Sequence, residues 1–154
     1  MQKSVLMITT LLFAGGAAVA DSHSDGHGHD HAQVERTPAP EGASVYFITP
    51  MDGETVSNPV TFRFGARGIG IAPAGVDWPD TGHHHMLINV DASEIDLDMD
   101  VPFSETHLHF GGGQTETTLE LPPGTHTFML LMGDQFHVPH DPPIMSEMIT
   151  VTVE

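Results

Sequence analysis

The chain has 154 residues and no cysteine, with four Lys or Arg against 21 Asp or Glu and a formal charge of −17 when histidine is neutral. A surface of that sign repels phosphate backbones and anionic lipids, which excludes nucleic-acid binding, and it draws cations. Lack of cysteine excludes disulfides, thiolate metal sites and cysteine nucleophiles, whereas twelve histidines offer a metal ligand that is available near neutral pH.

Residues 1–20 read as an export signal. Met1-Gln2-Lys3 opens with a positive charge, residues 5–14 are mostly apolar, and Ala18-Val19-Ala20 has the form of a cleavage site. The apolar run is short for a membrane span. A mature chain starting at Asp21 is therefore expected, periplasmic or secreted and with no stable membrane insertion after cleavage. Residues 21–31 read DSHSDGHGHDH and hold His23, His27, His29 and His31. This tract has no apolar side chain to offset the entropy of ordering. It is expected to bind zinc, copper or nickel weakly and without selectivity. Residues 32–42, with Pro38 and Pro40, look like an extended linker. A tail and linker over 21–43 thus precede a single domain over 44–154.

From Ser44 short apolar runs alternate with Gly, Pro and Asp, the pattern of strands and turns. Residues 44–48 form a first strand, closed by the turn sequence Pro50-Met51-Asp52-Gly53. Residues 59–65 alternate, with Val60, Phe62 and Phe64 on one face. Residues 66–82 make a long Gly- and Pro-containing loop with the single tryptophan, Trp78. A third strand covers 83–90. Residues 91–106 are acidic and irregular, with room for one helical turn. A short strand over 107–110 ends at Gly111-Gly112-Gly113, and residues 114–121 and 125–133 are expected to form a hairpin about Pro122-Pro123-Gly124. A second Pro-rich loop spans 134–143, and 146–153 is the last strand. These runs predict an all-β fold, an immunoglobulin-like antiparallel β-sandwich of about seven strands.

Strand alternation selects the candidate ligands. In the third strand His84, Met86, Ile88 and Val90 form the more apolar face, so His83 and His85 share the other. In the next strand Leu108 and Phe110 face the core, so His107 and His109 share the polar side. Each H-x-H pair sets two imidazoles roughly 6.6 Å apart along a strand, close enough to converge on one ion with bonds of about 2.0–2.1 Å. If the two strands pair, His83, His85, His107 and His109 form a four-nitrogen cluster. His137-Val138-Pro139-His140 adds an H-x-x-H in a loop that is able to fold over it. His84 is expected to face the core and His126 to be structural. Met86, Met129, Met132, Met145 and Met148 supply thioethers, although most of them fit core positions. All-nitrogen ligation, soft neighbours and an exported location favour copper, with zinc the alternative.

The segments SVYFITPMDGETVSNPVTFRFG, GIGIAPAG, TGHHHMLINVD, HLHFGGGQTETTLELPPGTHTFMLLMGD and HVPHDPPIMSEMITVTV resemble the DUF4399 family of small exported bacterial domains. The resemblance runs from about Ser44 to Val153 and takes in all three His-bearing segments. It implies an exported single domain and brings no settled activity. The His-rich tail lies outside it.

The expected function is non-catalytic copper binding or handling, with metal ions and a periplasmic protein as partners. Two alternatives stand beside it. In one, the histidines are structural and the loop with Trp78 presents an interaction surface. In the other, the protein is a copper enzyme: His107 to Gly111 is similar to the copper-ligand strand of copper–zinc superoxide dismutase, over five residues only. A blue-copper site needs a cysteine, and a histidine brace needs histidine where Asp21 stands.

Overall fold

Runs of alternating apolar residues build two sheets that bury a common face. The computed structural model describes residues 35–154; the expected export signal over 1–20 and the His-rich tract over 21–31 fall outside the described residues. The strands are β1 (Ser44–Thr49), β2 (Thr55–Val56), β3 (Val60–Arg67), β4 (Gly70–Ile71), β5 (Thr81–Ile88), β6 (His107–His109), β7 (Glu116–Leu119), β8 (Gly124–Gly133) and β9 (Ile149–Val153). One 3-10 turn, Ala92–Glu94, is capped by Asp91, whose carboxylate accepts from the Ser93 amide. No helix among the described residues is long and apolar enough to cross a membrane.

One sheet has the order β1-β3-β7 and the other β2-β9-β8-β5-β4, with β6 paired to β5. Pairing is antiparallel except for β2 with β9 and β4 with β5. This order puts β1, β3 and β7 at the A, B and E positions of an immunoglobulin sandwich and β5, β8 and β9 at C, F and G. The strands beyond the seven expected are β2 and β4, two residues each, too short to leave a period in the sequence. Phe62 and Phe128 meet between the sheets at 4.6 Å. Around them Phe64, Met86, Leu130, Met132 and Val151 are fully buried, each contributing about 1.5–3 kcal/mol of apolar transfer energy.

The expected hairpin about Pro122-Pro123-Gly124 does not form. β7 pairs with β3 in one sheet, and β8 pairs with β5 and β9 in the other. The chain crosses between sheets here because the prolines have no N–H to continue a ladder. Asn58 pins the crossing: its amide donates to the Leu121 carbonyl at 2.6 Å and its oxygen accepts from the Leu121 N–H at 3.1 Å.

β5 is buried on both faces. Its inner face joins the core, and on its outer face Leu87, Met129, Leu131 and Val101 make a second apolar cluster, flanked by Ile95 and Met145. Segments 91–106 and 134–145 cover that outer face. Residues 36–39, expected to be linker, run against this cover and bond to it. The Ala39 amide donates to the Asp141 carbonyl at 2.8 Å, the Asp141 amide to the Thr37 carbonyl at 2.9 Å, and Arg36 Nε to the Pro139 carbonyl at 3.0 Å.

Candidate metal centre

The outer face of β5 carries His83 and His85 side by side. The β5–β6 register sets His109 directly opposite His85, and the β5–β8 register sets Gly133 opposite His83. His137 comes from the loop that follows β8. Ring centroids lie 4.8 Å apart for His83 and His85, 4.9 Å for His83 and His109, and 5.0 Å for His83 and His137. The remaining pairs are 5.1 Å for His85 and His109, 5.9 Å for His85 and His137, and 4.6 Å for His109 and His137. Four imidazoles thus face one another in all six combinations. Nitrogens of His83, His109 and His137 already lie within 4.8 Å of one another. A tetrahedral ion with bonds of about 2.0–2.1 Å needs nitrogens about 3.3 Å apart; His85 stands outside this three-residue group, its ring centroid 4.8 to 5.9 Å from the other three.

The polar bookkeeping of the cluster fits an ion. Both nitrogens of His83 and of His85, and Nε2 of His109, are buried without a hydrogen-bond partner, as are both nitrogens of His84 and His140 outside the cluster. An unpaired buried polar atom costs about 1–3 kcal/mol, and an ion would satisfy one on each clustered ring. Burial, then repulsion from His109 and His137, pushes His83 down to about 4, while Asp134 pulls the other way. Burial lowers His85 further, reinforced by His83, His109 and His137. His109 is lowered by burial and then by His137. His83, His85 and His109 are therefore neutral at pH 7, the form that binds metal.

Two glycines make room for the rings. A Cβ on Gly133 would lie 2.7 Å from His85 Cε1, and one on Gly111 would overlap the His109 ring. The turn that presents His137 is built by Asp134, which is 3% exposed. Its Oδ1 accepts from the amides of Phe136 at 2.8 Å and Val138 at 3.0 Å, and its Oδ2 accepts from Thr37 Oγ1 at 2.7 Å. The His137 amide donates to the Asp134 carbonyl at 2.9 Å, and the Val101 amide donates to the His137 carbonyl at 3.0 Å.

The other candidates lie elsewhere. His107 is opposite Leu87, and its Nδ1 is within hydrogen-bond reach of Ser104 Oγ at 3.2 Å and Thr106 Oγ1 at 3.0 Å. It borders a cavity with Ile95, Met99 and Val101, rather than the four rings. His140 is buried beside Gly82, where a Cβ would lie 3.0 Å from its Cε1. Gly82 alternates with His83, so His140 approaches the inner side of β5. His84 faces the core as expected, its ring 4.8 Å from Phe64; burial lowers it to about 4, the Gly65 backbone opposing. His126 is scaffold: Nε2 donates to the Pro122 carbonyl at 2.8 Å and Nδ1 accepts from the Asn89 amide at 3.1 Å. Met86 and Met132 are in the main core, Met129 and Met145 belong to the outer cluster, and Met148 is exposed. Asp134 and the two glycines were missed by reasoning from sequence. Aspartate at the head of the loop after β8 is a signal of an Asx-type turn, in which its side chain takes the amide two residues on, here that of Phe136.

The family model described as a domain of unknown function, DUF4399, matches residues 62–154. No curated protein matches the chain. Among solved structures, the endo-beta-1,4-mannanase from Thermotoga petrophila is similar at 16% identity and a TM-score of 0.44, over 80% of this chain and 21% of that one. This chain therefore spans about a fifth of that enzyme's length. The matched region contains all four clustered histidines and both strands that carry them, and the chain belongs to the DUF4399 family.

Proposed function

We propose that this protein is an exported, non-catalytic domain that holds one metal ion on His83, His85, His109 and His137, with copper preferred over zinc. The observation that carries the reading is the convergence of four imidazoles, all six centroid distances between 4.6 and 5.9 Å. Nothing else among the described residues pairs the buried nitrogens of His83 and His85. Copper is favoured by the affinity order of divalent ions at nitrogen sites. The case for copper rests on that order alone, because four of the five methionines pack in the apolar clusters. With His85 added to the His83, His109 and His137 group, four protein ligands fill a four-coordinate ion and leave no open position for a substrate, which suits storage or transfer better than catalysis. Export rests on the character of residues 1–20, and the partner expected there is a protein that supplies or receives the ion.

The test is a competition titration of the metal-free chain with copper(II) and zinc(II), His23, His27, His29 and His31 being replaced by Gln to silence the tail. Truncation at Ser44 is avoided because residues 36–39 bond to residues 139–141. The expected result is one equivalent held tighter than micromolar, copper the tighter. His83→Ala and His109→Ala should each weaken it by more than the roughly 10–100-fold typical of outer-shell partners. Absence of any binding tighter than micromolar overturns the reading.

A further inference from the structure

We infer that Asp134 is the positioning residue for the fourth imidazole, and that Thr37 extends its support to the N-terminal segment; this rests on the metal-binding reading above. His83, His85 and His109 sit on paired strands, whereas His137 sits in a loop with φ of 70°. A non-glycine residue in that region is held there by its surroundings. Here the Asp134 carboxylate supplies the hold. It takes the amides of Phe136 and Val138, the two residues flanking His137. The Asp134 carbonyl takes the His137 amide, and Val101 fixes the His137 carbonyl. The peptide groups on both sides of His137 are thereby tied, which fixes the direction in which its Cα–Cβ bond leaves the backbone. The second oxygen of the Asp134 carboxylate binds Thr37 Oγ1 at 2.7 Å, which joins the His137 turn to residues far away in sequence.

A plain turn cap would stabilise the loop without acting through His137. A double-mutant cycle separates the two roles. It uses the full chain with the tail histidines replaced by Gln, and copper(II) as probe. Asp134→Ala should weaken binding about 10–100-fold, and electron paramagnetic resonance should show one fewer imidazole nitrogen, as in His137→Ala. In the His137→Ala background the same change should cost no more than about twofold, the tolerance within which independent sites add. Asp134→Asn keeps an acceptor oxygen for the two amides and should retain more affinity than Asp134→Ala. Thr37→Val should give a smaller loss that His137→Ala also abolishes. If Asp134→Ala does not fold, Asp134→Asn and Thr37→Val carry the same cycle. Additive penalties, or an unchanged nitrogen count, overturn the positioning role while leaving the metal site standing. An unsubstituted chain that binds no copper overturns both.

Discussion

Each ring of the cluster depends on a neighbour that is small or shaped to admit it. Gly133 is the sharpest case, because it lies opposite His83 in the ladder and its missing Cβ would fall 2.7 Å from His85 Cε1 and 3.1 Å from Nδ1. Both atoms belong to a fully buried ring with little room to retreat. Gly133→Ala should therefore cost about 1–3 kcal/mol of stability, the usual penalty of overpacking, and should also weaken metal binding. Urea denaturation and copper titration of the same variant check both halves. Stability lost with affinity intact would mean that His85 is not a ligand. At this scale the sequence was only partly legible. Period-two alternation selects His83 and His85 over His84 without help, because a strand has two faces. It cannot choose between His107 and His109, since both occupy one face of β6. Only the register, His85 against His109 and Leu87 against His107, decides. Nor can it rank His137 above His140, because that depends on a turn whose amides close on Asp134.

Strand pairing explains what sequence patterns found and what they missed. β3, β5 and β8 are long enough to show their alternation, and they form the centre of the sandwich. The segment between β7 and β8 was misread because Pro-Pro-Gly is a turn signal that is silent about which sheet the chain enters next. Two hydrogen bonds from Asn58 to Leu121 settle this. That clamp joins the turn before β3 to the crossing after β7, on structure that carries no cluster histidine. Asn58→Ala should cost about 1–3 kcal/mol, since both backbone groups of Leu121 lose their partner. Copper affinity should stay within about twofold of the unsubstituted chain, as expected for sites without shared partners. Thermal denaturation with and without copper measures both quantities. A large loss of affinity would show that the two ends of the sandwich are coupled.

For the molecule as a whole, the buried histidines make stability depend on pH in a direction that can be worked out. His83 and His84 fall from 6.5 in the unfolded chain to about 4 in the fold, and His85 falls further. A lowered histidine stays neutral in the fold while the unfolded chain takes up the proton. Its contribution is fully present above pH 6.5 and is lost as pH falls from there toward 4. For His84 alone the shift corresponds to about 3 kcal/mol. In unfolded chains histidine titrates near pH 6.5 and carboxylates near pH 4, so histidine dominates the upper part of that window. Urea midpoints of the metal-free chain should therefore drop as pH falls from 7 through 5 toward 4. His84→Leu removes one titrating group from the inner face, so it should make that drop shallower. With copper bound the drop should be steeper, because protons compete with the ion for the same nitrogens and the stabilisation gained from binding is lost with it. A metal-free midpoint that stays level from pH 7 to 5 would mean that these rings are hydrated or paired in solution. A drop of equal size with and without copper would mean that the ion is not held by the buried imidazoles.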